Sequence, residues 1–399
     1  MGIRIRRIAL SMLLVGALAA GSPAVAQTLP PNIAPEPGEP TRNNPRLDYQ
    51  YSVAQVVEVR DEEAKQIAEF TRQSQTIKAK ITRGPEKGKE VTVTAGGILQ
   101  SDELRRVKKG ESVVIVRSAT QTGEARYDLY DKLRLWPLAV LVGFFALLAA
   151  AVGRLRGVTS LLGLAFSISV FAWFIIPQII AGRSPLLVTI VGVFIIATVS
   201  MYLAHGLKRR TSVALFSTLV TLTIAIGLAT LAVAATKLFG SGSEQALQLQ
   251  FGELQTVALP GLLLSGIIIG AMGVLDDITT TQTAAVGELR RANPKLGFRE
   301  LYGRGLEVGR EHIASLINTL ALAYVGVSLP TLLILSTNNP QPLWITLNSE
   351  LIAEEIVRTA VGSIALILAV SISTVVAAWF FSKQSPSGIP EDDAHHHAH

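Results

Sequence analysis

Long apolar segments dominate the chain after residue 134, and they limit its possible folds more than any other feature. Each is about 18–30 residues long, enough for a helix to cross a hydrocarbon core of about 30 Å. Backbone polar groups in lipid must be satisfied within the segment, so we predict helices. The seven segments are Leu135–Val152, Val158–Ile180, Pro185–Ala204, Val213–Leu238, Val257–Leu275, Ile313–Leu335 and Ile352–Phe381. The sequence therefore predicts an α-helical polytopic membrane protein with a transmembrane domain over 135–381.

The charge content agrees with this class of protein. Only 17% of the 399 residues are charged, whereas a soluble protein carries about 25%. The formal net charge of +6 is compatible with nucleic-acid binding, but most basic residues lie in short loops between apolar segments, where membrane topology explains them. We therefore expect the lipid bilayer, and not nucleic acid, as the partner. The chain has no cysteine, which excludes disulfides, thiolate metal sites and cysteine nucleophiles.

The N-terminus has the pattern of an export signal. Arg4, Arg6 and Arg7 precede an apolar run of about 13 residues, and small residues at 24–26 suit cleavage after Ala26. We predict a signal peptide over 1–26. An uncleaved anchor is the alternative, and both send the next segment outside. Residues 27–48 are rich in Pro and poor in apolar residues, which indicates a linker.

A β-rich domain is predicted over 49–134. Polar and apolar residues alternate there, and Gly84-Pro85 and Gly96-Gly97 are turn signals. Five short strands suit a small all-β barrel of the OB or SH3 kind. No interleaved aromatic residues are present to stack bases, so we favour an interaction or assembly role. The predicted strands are Ser52–Val59, Gln75–Ile81, Glu90–Thr94, Ser112–Arg117 and Arg126–Leu129.

Loop charges predict the orientation of the helices. Lys and Arg concentrate in the cytoplasmic loops of membrane proteins. The loops after the first, third and fifth segments are basic, whereas the short loops between them carry only Arg183. We expect a multi-pass protein of the inner membrane, with the β domain extracytoplasmic and the C-terminus cytoplasmic. Residues 382–399 are predicted to be a disordered tail, whose histidines leave weak metal binding open.

Two membrane stretches carry specific motifs. They are GAMGVLDDITTTQTAAVGELRRANP (270–294) and GREHIASLINTLALAYVGVSLPTLLIL (309–335). The first resembles the Gly-Ala-x-Gly-x-x-x-Asp run of the YibE/F family of bacterial membrane proteins, and the second resembles that family's other signature. Asp277 falls on the family's Asp, and the adjacent Asp276 departs from the pattern, which leaves open which carboxylate matters. The resemblance extends over most of the chain after about residue 50 and implies a multi-pass membrane protein, without naming an activity.

Asp276 and Asp277 are the first candidates for a functional site. They lie about 30 Å along the axis from Val257 at 1.5 Å per residue, at the predicted cytoplasmic boundary, where we expect the fifth helix to end. If it continues, Asp277 shares a face with Thr280 and Thr281. A solvated acidic pair, partnered by a loop cation, is one interpretation. A cation or proton site is the other, because carboxylates near membrane depth often mark ion pathways.

The sixth segment carries the other polar candidates. Asn318 lies about 8 Å inside the predicted boundary, and Ser315 neighbours both His312 and Thr319 on the helix surface. If the fifth and sixth helices are antiparallel neighbours, these residues and the aspartates form one polar cluster. The alternative is an interhelical hydrogen bond from Asn318, worth about 1 kcal/mol. The full candidate set is Asp276, Asp277, His312, Ser315, Asn318 and Thr319.

Small residues on the fifth segment are predicted to pack against another helix. Gly266 and Gly270 have the small-xxx-small spacing that permits a close approach, and Gly273 follows on the same segment. Backbone exposed to a substrate path is the alternative. Glu354 and Arg358 are four residues apart, so they are expected to pair, and we interpret them as structural.

The expected function is transport, by a permease or exporter component. No nucleotide-binding loop and no hydrolase or zinc-protease motif occurs in a suitable context, so we predict no cofactor and no enzyme. The second interpretation is a scaffold that anchors the external β domain to a partner. For either function, a homo-oligomer or a paired membrane subunit is the expected protein partner. An intramembrane enzyme is the third. Transport predicts a water-accessible cavity lined by Asp277 and Asn318, and a scaffold predicts a tightly packed bundle.

Overall fold

The chain forms two compact units. The computed structural model describes residues 50–61, 65–67, 70–99, 106–119, 125–252, 254–337 and 342–384. The described residues up to Phe145 form one unit and those from Ala146 form the other. The predicted signal peptide, the linker and all but the first residues of the predicted tail lie outside the described residues.

The first unit is built on β-strands in the places that the sequence predicts. All five predicted strands are confirmed, and each extends beyond its predicted bounds, because the pairing continues past the apolar alternation. One short strand, β2, was not predicted. The strands are β1 (Gln50–Asp61), β2 (Lys65–Ile67), β3 (Phe70–Arg83), β4 (Glu90–Leu99), β5 (Ser112–Ala119) and β6 (Ala125–Lys132).

These strands close into a small barrel. The order is β1-β5-β6-β4-β3, and β1 pairs with both β5 and β3, so the sheet returns to its starting strand. β4 and β6 meet in parallel at Thr94 and Asp128, and the other pairs are antiparallel. Without the short β2, this is the Greek-key order of an OB barrel, which decides between the two predicted barrel types.

Alternation along the strands produces the barrel core. Every second residue points inward in a strand, and on β3 these are Ile77, Ala79 and Ile81, all nearly inaccessible. Gly84 forms a turn, with φ of 135°. Gly96-Gly97, predicted as a turn, lies within β4 instead, where the register against β3 shifts. That prediction was wrong because glycine in a strand also marks a bulge.

The second unit is a helical bundle. Among the described residues, six continuous helical stretches are long and apolar enough to cross a membrane. A π-helical turn, Phe171–Ile175, joins the first two helices. The helices are α1 (Leu135–Val170, which begins in the first unit), α2 (Ile176–Ile180), α3 (Pro185–His205), α4 (Arg209–Thr236), α5 (Glu244–Phe251), α6 (Leu259–Ala292), α7 (Phe298–Thr337), α8 (Leu343–Asn348) and α9 (Glu350–Ser382).

The first helical stretch is broken near the point where the sequence predicts a loop. Arg154 has a non-helical backbone, with φ of 50° and ψ of −133°. A side chain on Gly157 would overlap the carbonyl oxygen of Ala149. Residues eight apart in a straight helix would be separated by about 12 Å. The chain therefore folds back on itself at Arg154.

Three helices form the centre of the bundle. α4, α6 and α9 pack against one another, with α3 and α7 outside them. Buried Leu222, Ile268 and Leu366 are part of the main apolar core. Small residues permit the close packing of α7: a side chain on Gly309 would overlap Val370 of α9. Lipid provides no hydrophobic force between helices, so close contacts of this kind hold the bundle together.

The fifth predicted helix does not end at the aspartates. α6 has 34 residues, or about 51 Å at 1.5 Å per residue, and it runs on past the apolar segment. The turn at Asn293 and Pro294, which the sequence predicts as a break, separates it from α7. Buried Arg290 donates to the Leu296 carbonyl oxygen at 2.6 Å across this turn. The extension is thus held by its own packing and hydrogen bonds.

Candidate functional site

A cavity of about 500 Å³ lies between the second half of α1, α3 and α6. Its wall is mostly apolar or glycine, with Met272 and Gly273 among the lining residues. Six polar residues also reach it. They are Ser160, Ser167, Ser200, His205, Asp276 and Asp277. Both aspartates predicted from the sequence therefore face the same space inside the membrane unit.

The two aspartates differ in exposure. Asp277 is exposed, whereas Asp276 is half-buried. The Asp276 Oδ1 atom is buried and has no hydrogen-bond partner among the described residues. Neither carboxylate makes an ion pair within the described part of the chain, so the predicted loop cation is not found beside them. A buried carboxylate oxygen with no partner is costly, which makes Asp276 the most unusual polar group of the cavity.

Ser200 adds a second oxygen of this kind. Its Oγ atom is buried without a hydrogen-bond partner in the described structure, and the residue lines the same cavity from α3. Ser167 is satisfied differently, because its hydroxyl donates to the Gly163 carbonyl oxygen at 2.9 Å within α1. The cavity therefore offers carboxylate and hydroxyl oxygens from different helices, the type of ligand that hard cations and water prefer.

The local structure of α6 keeps the aspartates in a helix. The hydroxyl of Thr280 donates to the carbonyl oxygens of Asp276, at 2.9 Å, and Asp277, at 3.0 Å. Buried Gln282 donates to the Gly305 carbonyl oxygen of α7 and the Thr374 hydroxyl of α9. These contacts anchor α6 on both neighbours immediately after the acidic pair, which is why the helix continues where the sequence predicts its end.

The continuation brings polar residues to a second cavity. Its volume is about 310 Å³, and it shares His205 with the first. Thr280 and Thr281 line it, as expected if the helix continues beyond Asp277. The other polar lining residues come from the part of α1 that follows the fold-back at Arg154 and from the start of α4. They are Arg156, Lys208, Arg210 and Thr211.

The candidates on α7 lie elsewhere. His312, Ser315, Asn318 and Thr319 are exposed on the outer face of this helix, and none of them is among the residues that line the first cavity. The Thr319 hydroxyl donates to the Ser315 carbonyl oxygen at 2.9 Å. The predicted cluster of aspartates with these four residues is not assembled within the described chain, because the face of α7 that packs on α6 and α9 is the opposite one.

The three glycines of α6 have different surroundings. A side chain on Gly270 would lie 3.0 Å from the Tyr324 hydroxyl of α7, which is the close approach predicted for helix packing. A side chain on Gly266 or Gly273 would have no described heavy atom within 4 Å. Gly273 lines the first cavity, so its backbone is exposed to that space.

Sequence reasoning missed several residues of the site. Ser160 and Ser200 lie in other apolar segments and His205 directly follows one, and nothing in their spacing relates them to the aspartates. A buried contact between Thr218 of α4 and Thr279 of α6, 2.6 Å between hydroxyl oxygens, was also missed. The dense run of Thr and Gln after Asp277 was a usable signal for it, since a lipid-facing helix would not carry so many hydroxyls.

The site does not have the composition of a metal centre. No group of three His, Cys, Asp or Glu side chains suited to hold a metal ion occurs among the described residues. Two neighbouring carboxylates with hydroxyls and one histidine can hold a proton, a monovalent cation or a hydrated ion. This chemistry is weaker and more readily reversible than that of a structural metal site.

A second acidic pair shows the opposite environment. Glu350, at the start of α9, accepts hydrogen bonds from the backbone N–H groups of Phe239, Gly240 and Ser241, at 2.7–3.2 Å. The buried carboxylate of Glu354 accepts one from the Gly242 N–H at 2.9 Å. These two residues therefore fasten the loop after α4 to the start of α9.

The predicted pairing of Glu354 with Arg358 was wrong. Arg358 pairs with Glu355 instead, because the loop backbone already occupies the Glu354 carboxylate. The interpretation of Glu354 as a structural residue agrees with these contacts.

Comparison with known proteins places the membrane unit in a family. The model of the YibE/F-like protein family matches residues 141–383, more than half of the chain. The chain belongs to the YibE/F-like family. No match was found among curated proteins or among solved structures. Every residue that lines the first cavity lies inside the matched range, whereas the β-barrel precedes it.

Proposed function

We propose that this YibE/F-like protein is a permease or exporter component that binds a proton or a small cation at Asp276 and Asp277. The observation that carries the proposal is the cavity of about 500 Å³ that both carboxylates line, with one oxygen of Asp276 buried and without a hydrogen-bond partner among the described residues.

That arrangement has an energetic cost. Leaving a buried polar group without a hydrogen bond costs about 1–3 kcal/mol, and more for a charged group. Ionisable residues at membrane depth are rare and are typical of ion pathways. A proton or a cation relieves the cost when it binds, and a weak site releases it again. The open space beside Gly273 leaves room for water or a substrate next to the carboxylates.

We further propose seven crossings, with the barrel outside the inner membrane and the C-terminus in the cytoplasm. Two observations support this topology. The stretch Leu135–Ile180 has 46 residues, enough for two crossings, and it folds back at Arg154. The basic loops then all lie on one side, as the charge asymmetry of membrane proteins requires. A reporter that is active only in the cytoplasm, fused at the turn at 293–297, should therefore be active.

The exposed face of α7 supports a membrane partner, either a second copy of the chain or a paired subunit. None of the residues in the most apolar stretch of α7 is buried, whereas 56% of the residues in the most apolar stretch of α6 are buried. Asn318 and Thr319 are exposed on it, and an amide in lipid gains by pairing with another helix. The chain lacks cysteine, so an introduced cysteine is its single thiol. Asn318→Cys should cross-link in membranes. Leu320→Cys, on the half-buried side that meets Gly362, should not.

The scaffold interpretation has one observation in its favour. Tyr51 and Tyr130 form an exposed edge-to-face pair on the barrel, with ring centroids 5.1 Å apart. Val57 is another large apolar side chain exposed on the described part of the barrel. A scaffold needs no cavity in its bundle, however, and it gives no reason for the unpartnered carboxylate. An intramembrane enzyme would use the same carboxylates, and flux measurements separate it from a transporter.

The decisive experiment measures ion flux. The purified chain is reconstituted in liposomes, and proton and sodium movements are followed with internal indicator dyes under imposed gradients. We expect flux in the wild type and its loss in Asp277→Asn and Asp276→Asn, with both variants folded. Glu355→Gln removes a carboxylate that pairs with Arg358 away from the cavity, and it should keep its flux. Normal flux in both Asp variants would remove the site.

A further inference from the structure

The second cavity has a chemistry of its own. Three cationic side chains line it: Arg156 from the turn after Arg154, and Lys208 and Arg210 from the start of α4. Hydroxyls of Thr211, Thr280 and Thr281 line the same space. The cations come from two separate parts of the chain and the hydroxyls from two different helices, so several elements converge on one volume of about 310 Å³.

The charge balance of this cavity is strongly positive. No acidic residue is among those that line it. The Glu288 carboxylate lies 3.8 Å from the Arg210 guanidinium, and Asp277 lines the adjoining cavity. Membrane topology explains why these loops are basic. It does not require three cations to meet at one cavity beside three hydroxyls.

The backbone adds to this field. α4 begins beside the cavity, with Lys208 as its N-cap residue. The N-terminus of a helix carries a partial positive charge and N–H groups directed toward an anion. Thr211, in this first turn, is buried and lines the cavity.

We propose that the second cavity binds a phosphate-type oxyanion. Guanidinium groups donate paired hydrogen bonds to phosphate oxygens, the lysine adds a point charge, and the exposed Thr281 hydroxyl donates to a remaining oxygen. A free phosphate compound and the headgroup of an anionic phospholipid share this chemistry. The site is independent of the cation site proposed above, although His205 lies between the two cavities and lines both.

The test measures binding to the purified full chain in an uncharged detergent. Titration calorimetry with inorganic phosphate probes a free oxyanion. Native mass spectrometry, which counts retained phosphatidylglycerol against phosphatidylcholine, probes a lipid headgroup. The double variant Arg156→Gln/Arg210→Gln should weaken binding at least tenfold in one of these assays. Arg209→Gln is the matched control, because Arg209 is adjacent in sequence but lines a different groove, and it should change binding less than twofold.

The outcomes are distinguishable. Loss of phosphate binding in the double variant identifies a free oxyanion site, and selective loss of retained phosphatidylglycerol identifies a headgroup site. If neither probe binds, or if the control variant loses as much binding as the double variant, the proposal is overturned. If the double variant aggregates, Arg156→Gln alone is measured in its place. Arg156→Lys should retain more binding than Arg156→Gln. None of these measurements depends on flux, so the proposal stands or falls apart from the transport function.

Discussion

Two acidic pairs in the membrane unit have opposite surroundings. Glu350 and Glu354 accept hydrogen bonds from four consecutive backbone N–H groups of the loop after α4. Asp276 and Asp277 face a cavity, and one buried oxygen of Asp276 has no partner in the described structure. Sequence alone shows acidic residues at a segment boundary in both places. The comparison teaches that hydrogen-bond satisfaction, not depth or charge, separates a structural carboxylate from a candidate functional one.

The largest effect is expected at the satisfied pair. Glu350→Ala removes the acceptor of three N–H groups and of the Ser241 hydroxyl. Donors left without a partner cost about 1–3 kcal/mol each when buried, and water reaches some of these, so we expect a loss of about 2–4 kcal/mol. Thermal unfolding of the purified protein measures it. Glu355→Ala breaks one half-buried ion pair and serves as the control, with a smaller loss.

Equal melting temperatures for Glu350→Ala and the wild type would show that the loop is not held by this carboxylate. A structural role would then no longer distinguish the glutamate pair from the aspartate pair.

Glycine substitutions test the packing at the same two places. A side chain on Gly242 would lie 2.8 Å from the Glu354 carboxylate, and overpacking of this kind costs about 1–3 kcal/mol. A side chain on Gly273 would have open space, so Gly273→Ala should be neutral or stabilise α6 by up to about 1 kcal/mol. Paired unfolding curves measure the difference. Similar losses for both variants would mean that the cavity beside Asp276 is filled in solution.

How far the sequence could predict these features follows from the range of each interaction. The strands and apolar helices were predictable, because alternation and segment length are local properties of the chain. Asp276 and Asp277 were found because two charges beside an apolar run are conspicuous. The partners of Glu354 could not be found, since Gly242 is more than a hundred residues distant and contributes only backbone.

The cavity itself was less predictable than its carboxylates. Ser200 and His205 reach it only because α3 packs beside α6, and sequence spacing carries no information about that. The polar face of α7 was predicted to meet the aspartates because depth was considered without rotation about the helix axis. Asn318 lies on the exposed side of α7, whereas Tyr324 is half-buried and reaches Gly270.

Asp276, whose buried oxygen has no partner in the described structure, should respond to neutralisation in the opposite sense from the satisfied pair. Asp276→Asn removes a charge that no described residue offsets, so the free energy of unfolding should stay equal or rise by about 1 kcal/mol or less. The same unfolding assay measures it beside Glu354→Gln, which weakens the bond from the Gly242 N–H and should lower stability. A loss in Asp276→Asn as large as that in Glu350→Ala would assign Asp276 a structural role and contradict the comparison.

The smallest effect is expected for a carboxylate that is hydrogen-bonded but in contact with water. On the barrel, the Tyr127 hydroxyl donates to Glu86 at 2.6 Å and the Lys89 ammonium donates to it at 3.0 Å. These hydrogen bonds, first that of Tyr127, hold the pKa of Glu86 below its ordinary value of 4.5. A folded-state pKa below the unfolded one contributes stability above the unfolded pKa and loses it as the pH falls through the folded pKa.

Tyr127→Phe should therefore raise the pKa of Glu86 and slightly loosen the turn between β3 and β4 at neutral pH. The difference from the wild type should disappear at a pH below both pKa values, where Glu86 is protonated in either protein. Hydrogen exchange of the 84–89 turn in the full chain, compared between the two proteins at each pH, measures this. Tyr130→Phe changes an exposed ring that packs on Tyr51 and is the control. A difference that persists unchanged in acid would show that Tyr127 acts through packing, and that hydrogen bonding to a water-exposed carboxylate contributes nothing measurable here.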